Sequence, residues 1–238
     1  MSTKTFQQGT SSYAGARDAH LSQNSHTNNT GSNNFVEAGG YNGGSPSTSQ
    51  SNPVFYFDLS GQGYSSTDTI NSATLSLTIQ GNRNGSNTKT FGIAALKRGV
   101  FVEGTGAGVD GSSANSTEVC WDYFSYNTVS WTTAGATGAS DVYADNSTTT
   151  CTMSTDTAGT VKTWDITAIV QNWINGTYSN YGLLMHTTSG DTANGTWDFH
   201  SKEATTVSNR PLLTITSTLG GASSILISPQ SLLQLLMG

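Results

Sequence analysis

Apolar residues recur along this chain with two different periods. Between residues 163 and 176, Ile166, Ile169, Val170, Trp173 and Ile174 fall at i, i+3, i+4, i+7 and i+8, one stripe of a helix. Asp165 or Thr163 can accept from the free N–H groups at its start. Gly176 follows the last periodic residue, where a left-handed residue ends a helix. Elsewhere the period is two. Ala73, Leu75, Leu77 and Ile79 point one way and Thr74, Ser76 and Thr78 the other, which predicts a half-buried strand. Strands are also predicted over 54–59, 91–102, 128–132, 182–187, 196–200 and 212–218. Residues 1–41 alternate between turn signals, and 42–52 and 104–116 read as Gly- and Ser-rich loops. Many short strands with polar turns and one helix near 165–175 predict an all-β, jelly-roll-like antiparallel sandwich over residues 1–218.

Residues 219–238 break the pattern. A Gly/Ser stretch leads into Ile225, Leu226, Ile227, Ser228, Pro229 and then Leu232, Leu233, Leu235 and Leu236. Ser228 and Pro229 suit the cap and first position of a short helix. So many leucines on a free terminus would favour aggregation, so the tail is expected to dock, on its own sandwich or in a neighbouring subunit.

Composition narrows the function. Only 10% of residues are charged, yet 5 Trp, 9 Tyr and 8 Phe argue for a packed core rather than disorder. With a net charge of −6 and scattered basic residues, the chain lacks the basic surface that nucleic acid requires. No segment is long and apolar enough to span a membrane. Residues 1–6 carry no apolar signal-peptide core, so either a leader was removed or the chain starts in a cytoplasm. A secreted-looking surface with a cytoplasmic start is what a virion protein would show. Cys120 and Cys151 are either two free thiols or a disulfide closing a loop of roughly 30 residues, worth on the order of 3–4 kcal/mol.

Several segments in order carry a resemblance: Arg17-Asp18-Ala19-His20-Leu21, Asn29-Thr30-Gly31-Ser32, Tyr56-Phe57-Asp58-Leu59-Ser60, residues 70–77, and Phe101-Val102-Glu103-Gly104. Val129-Ser130-Trp131, Trp164-Asp165-Ile166-Thr167, Gly182-Leu183-Leu184, residues 199–203 and residues 210–215 complete it. Together they resemble the DNRLRE-domain family, carbohydrate-binding modules of the disaggregatase-related and alginate-binding kind. The resemblance spans roughly residues 5–217. It implies a jelly-roll-like sandwich with a crossing helix, non-catalytic, on extracellular or virion proteins. It also implies that Phe57, Leu75, Leu77, Trp131, Ile169 and Leu184 are core residues. The chain departs from the pattern at Phe101, where the family more often has Trp, and carries Lys202 as the basic residue near the end.

Catalytic chemistry finds little support. A glycoside hydrolase needs two carboxylates across a cleft. Asp191, Asp198 and Glu203 lie close in sequence beside His186 and His200, but polar residues around a hairpin read as a solvated face. No GxSxG occurs, and His20, His26, His186 and His200 lack metal spacing. Gly106 to Gly111 matches GxGxxG by chance, outside any βαβ unit. Glu103 and Asp110 in that loop are weak candidates for a structural calcium ion. Six sequons, at Asn28, Asn84, Asn115, Asn146, Asn175 and Asn194, follow from composition. Glycan binding uses exposed aromatic faces. The run 120–127 is densest, so Trp121, Tyr123 and Tyr126 are the candidates, with Tyr41 and Tyr64 weaker ones in loops; a core strand with a tyrosine edge is the alternative for the run.

The expectation is therefore a non-catalytic structural or decoration protein on a phage virion surface. It would display a carbohydrate-binding-like sandwich and contact other subunits through its tail, with cell-surface polysaccharide as a further partner. The alternative is a free, secreted carbohydrate-binding module.

Overall fold

The strands are β1 (Ser2–Phe6), β2 (Ala16–Ser22), β3 (Asn28–Asn29), β4 (Phe35–Asn42), β5 (Thr48–Phe57), β6 (Thr69–Asn82), β7 (Lys89–Ala95) and β8 (Ser112–Ser113). They continue with β9 (Tyr123–Ser125), β10 (Val129–Ser130), β11 (Thr150–Met153), β12 (Val161–Asp165), β13 (Leu183–Ser189), β14 (Gly195–His200) and β15 (Leu212–Thr218). Among the described residues the single α-helix is α1 (Thr167–Ile174). This computed structural model describes residues 1–42, 48–82, 88–108, 110–143, 149–189 and 195–220. The apolar tail, Val109, Asp191 and the sequons at Asn84, Asn146 and Asn194 lie outside them.

The fold is the antiparallel all-β sandwich that the alternation predicts, and β6 is its axis. Residues 69–78 of β6 lie in a small sheet, with β15 and then β1 on one side and β12 on the other. From Ile79 onward the same strand pairs with β14 in the large sheet, and the register slips between Asp198 and Phe199. A bulge of this kind lets one strand turn the corner between two layers. Ala73, Leu75, Leu77 and Ile79 all point into the space between the sheets and are fully buried. From the large sheet Phe55, Phe57, Phe91, Ile93, Leu183, Met185, Trp197 and Phe199 meet them.

The large sheet runs from β14 through β4, β5 and β13 to β7 and β11. Strand β5 also has β2 beside it. Ser51 is flanked by Ser22 and Gly39, whereas Val54 is flanked by Ala19 and Leu184, so β13 takes over the side of β5 that β4 leaves. Pro53 falls at this change of neighbour, where its missing N–H interrupts no continuous ladder. Residues 48–52, expected as loop, are therefore strand. The strand expected over 91–102 is shorter: β7 ends at Ala95, and only isolated bridges at Leu96 and Val102 continue it.

A second core covers the outer face of the large sheet. Ala19, Leu21, Val54 and Leu184 pack there against Leu96, Phe101, Val119, Trp121, Trp131 and Ala136 from the irregular 96–142 segment. Both faces of β5 and β13 are thus buried, which explains their continuous apolar runs. The family-implied core residues Phe57, Leu75, Leu77, Trp131, Ile169 and Leu184 are all buried.

The helix is shorter than its sequence signal. Trp164 and Asp165 belong to β12, with Trp164 opposite Leu75. Asp165 Oδ1 accepts from the Thr167 N–H at 2.9 Å and so caps the helix from outside. Ile169, Val170 and Trp173 face the core. Gly176 ends the helix at φ 79°, as expected. Gln171 ties the helix to the start of β6. Its Oε1 accepts from Ile70 N–H at 2.8 Å and its Nε2 donates to the Asp68 carbonyl at 3.1 Å.

Candidate functional site

Most of the chemistry-bearing residues expected from sequence are structural. Trp121 is 5% exposed, in the second core, not on a binding face. It lies over Gly135, whose φ is +77° and where a Cβ would come within 2.6 Å of the indole ring. Phe124 turns onto Trp131 at 5.4 Å. Tyr123 and Tyr126 are left half-buried as an edge-to-face pair, also at 5.4 Å. The expected aromatic platform is therefore divided: its Trp is core and its tyrosines stack on each other. Cys120 and Cys151 are free. Cys120 is buried in loop segments on the outer face, Cys151 sits on edge strand β11, and burial pushes the Cys120 thiol up to about 11.

Three segments of the resemblance converge on one polar cluster. Asp18 of β2, Glu103 and Glu203 bring a carboxylate oxygen each to within 4.8 Å of one another. The Asp18 N–H donates to Glu103 Oε1 at 2.7 Å, and Asp18 Oδ2 accepts the Lys202 N–H at 2.7 Å. Lys202 Nζ lies 3.1 Å from Glu103 Oε2 and also donates to Glu203 Oε1. Burial, then the neighbouring carboxylates of Glu203 and Glu103, raise Asp18 well above its ordinary range. Burial raises Glu103 to about 7 against the opposing pull of the Asp18 N–H and Lys202. Asn29 completes the clasp, donating through Nδ2 to the carbonyls of Glu103 and Val119 while its Oδ1 accepts from Gly31 and Gly106. These residues fasten the outer loops to β2.

The Lys202 ammonium already supplies the cation among the carboxylates, and Asp110 is not in the cluster. Asp110 contributes only its carbonyl, which accepts from Asn28 Nδ2 at 2.9 Å. The cluster holds none of the four histidines. His20 is buried against Phe35, His26 pairs with Asp122 at 2.8 Å on the surface, and burial lowers His200.

Another surface feature lies beside the helix. A groove of about 400 Å³ runs between the helix and the turn after β5. Its aromatic lining is Tyr56, Tyr64 and Trp173, and its polar lining includes Asp58, Ser60 and Asn180. Each position has a local cause. Tyr56 is the outward residue between core Phe55 and Phe57. Trp173 is the last buried residue of the helix stripe. Gly61 and Gly63, at φ 68° and 73°, let the turn double back and carry Tyr64 to the wall. Asn180 is fixed by donating to the Phe57 carbonyl at 2.8 Å. Asp58 Oδ1 accepts from the Ser60 N–H at 2.8 Å. The Tyr64 hydroxyl and Trp173 Nε1 are enclosed without a hydrogen-bond partner among the described residues, and burial pushes Tyr64 up to about 12.

Of these residues, sequence reasoning named only Tyr64, as a weak candidate. The available signal was the Ser60-Gly61-Gln62-Gly63-Tyr64 turn directly after an aromatic strand. Among the described residues no helix is long and apolar enough to cross a membrane. No family model matches this chain, and no curated protein matches it.

Proposed function

We propose that this chain is a non-catalytic, glycan-binding β-sandwich displayed on an extracellular assembly, in particular a phage virion. The observation that carries the binding reading is the groove of Tyr56, Tyr64 and Trp173 edged by Asp58, Ser60 and Asn180. Flat apolar rings beside hydroxyl, amide and carboxylate groups suit a sugar, whose faces are apolar and whose rim is polar. The resemblance to DNRLRE-type carbohydrate-binding modules supports the same reading. The non-catalytic part rests on carboxylate placement. Asp58 is the one carboxylate in the groove lining, whereas Asp18 and Glu103, with raised pKa values, are committed to the internal clasp. Glycoside hydrolysis needs two acids across one site.

Native affinity electrophoresis of the full chain against a polysaccharide panel tests this. At least one polysaccharide should retard the protein. Tyr64→Leu, which keeps apolar packing against Phe6, should weaken that retardation about tenfold. A panel with no retarding member overturns the reading.

The assembly part rests on the apolar run from Ile225 to Leu236 after a Gly/Ser linker. The solution mass of the full chain, against one ending at Thr218, separates the two contexts. An oligomer that becomes monomeric on truncation supports a virion subunit docking through its tail. Two equally folded monomers support the free secreted module.

A further inference from the structure

The groove beside the helix shares a wall with another. A second groove, of about 390 Å³, runs along Thr3–Phe6 of β1 and is closed by the 10–13 turn and Gln62. The turn from Ser60 to Tyr64 separates the two. Gly61, Gly63 and Tyr64 face the first groove, and Gln62 faces the second. The wall is held at both ends. Lys4 Nζ donates to the Gln62 carbonyl and lies 4.8 Å from the centroid of the Tyr64 ring. At the other end the Tyr13 hydroxyl donates to the Asp58 carbonyl at 3.3 Å. The two grooves are therefore at a fixed spacing.

The second groove has the chemistry of a polyol site. Thr3, Thr5, Thr10, Ser11 and Ser12 line it with hydroxyl groups, and no carboxylate is present. Ser11 and Ser12 hold consecutive left-handed conformations, at φ 49° and 64°, which side chains rarely adopt and which recur at binding sites. Among the described residues β1 pairs on one side only, with β15, so its outer backbone N–H and C=O groups are free to bond a ligand. Lys4 is the sole cation in the two linings, it is already engaged, and the whole chain carries −6. An anionic polymer would meet net repulsion.

We propose that the two grooves are subsites of one binding face for a linear, neutral polysaccharide, which crosses the Ser60–Tyr64 wall and occupies both at once. This rests on the glycan-binding reading above. A short oligosaccharide fills the first, aromatic groove alone. A longer chain fills both, and the second contact forms at the high effective concentration set by the first. The face therefore recognises the interior of a chain rather than its end.

Calorimetric titration of the full-length protein with cello-, xylo- and manno-oligosaccharides of increasing length tests the proposal, with alginate and pectin fragments as anionic comparators. For a neutral series that binds, affinity should rise on the order of tenfold or more from the shortest to the longest member. Thr5→Arg, an exposed position that fills the second groove, should abolish that gain and leave the affinity for the shortest binding member unchanged. Ser12→Gly relieves the left-handed conformation and removes one hydroxyl, so it folds and should weaken long ligands alone. Tyr64→Leu should weaken every length. Length-independent binding, or long-chain affinity unaffected by Thr5→Arg and Ser12→Gly, overturns the two-subsite proposal while the glycan reading stands. Tighter binding of the anionic fragments overturns its neutral specificity. No binding of any ligand overturns both this proposal and the glycan reading.

Discussion

Lys202 places its Nζ 3.1 Å from Glu103 Oε2, while the backbone N–H of the same lysine donates to Asp18. One residue thereby joins β2, the 102–105 loop and the turn after β14. The ammonium is outnumbered by carboxyl groups, and burial raises both Asp18 and Glu103. A carboxyl whose folded pKa lies above its unfolded value holds its proton more tightly when folded. Its stabilising contribution is complete below the unfolded pKa and is lost as pH rises through the folded one. For Glu103 the window runs from the ordinary 4.5 to about 7. Thermal stability should therefore fall between about pH 4.5 and pH 7, by up to ~3 kcal/mol from this group. Glu103→Gln, which is neutral throughout, should flatten the slope of Tm against pH in that window. An unchanged slope in the variant would remove Glu103 as its source.

Asp141 shows the opposite electrostatics. It is fully buried and saturated with donors: Arg98 Nε at 2.8 Å, the Thr132 N–H and hydroxyl, and the Thr133 N–H. Burial alone would raise its pKa, but these bonds outweigh it and hold the carboxyl below its ordinary value. Asp141→Ala strands Arg98 and several donors around a buried gap. A loss of about 3 kcal/mol is expected in urea unfolding. Since the 132–141 segment covers the second core, Trp121 and Trp131 fluorescence should report it.

The free thiols give a direct chemical test. Cys120 is buried with its pKa pushed up to about 11, and Cys151 is part-exposed on β11. Thiolate is the reactive form and access limits the rate. Alkylation of the native protein should label Cys151 slowly and Cys120 only after unfolding. Intact mass should be the same with and without reductant. A mass two hydrogens lighter before reduction would restore the disulfide.

Period-two alternation is legible where one face of a strand is buried and the other wet, as in Ala73–Ile79. The helix stripe of Ile166, Ile169, Val170 and Trp173 is legible for a similar reason. The polar half of β5 was not. Ser49, Gln50, Ser51 and Asn52 look like a loop because β4 and β2 hold that half through backbone bonds rather than apolar side chains. Core and surface readings of Trp121 are not separable in sequence because its cover, the 96–142 segment, is irregular and has no period to betray a core. The groove was hidden for another reason. Tyr56, Tyr64, Trp173 and Asn180 come from a strand, a turn, a helix end and a loop, and only the tertiary fold brings them together.

Trp164 concentrates the difference between pattern and fold. Its place beside the helix stripe suggests a helical residue, yet it sits in β12, fully buried, and its Nε1 donates across the sandwich to the Phe91 carbonyl of β7 at 3.0 Å. It also meets Phe199 edge-to-face at 6.1 Å. One side chain thus links the small sheet to the large one by both packing and a hydrogen bond. Two substitutions separate these terms. Trp164→Phe keeps an aromatic ring but leaves the Phe91 carbonyl without its donor and a small void, for a cost of about 1–3 kcal/mol. Trp164→Ala adds the full cavity and should cost about 3–5 kcal/mol. Equilibrium denaturation of both variants measures the split. If the Phe variant is as stable as the parent, the inter-sheet hydrogen bond contributes nothing net and packing alone holds the layers at this point.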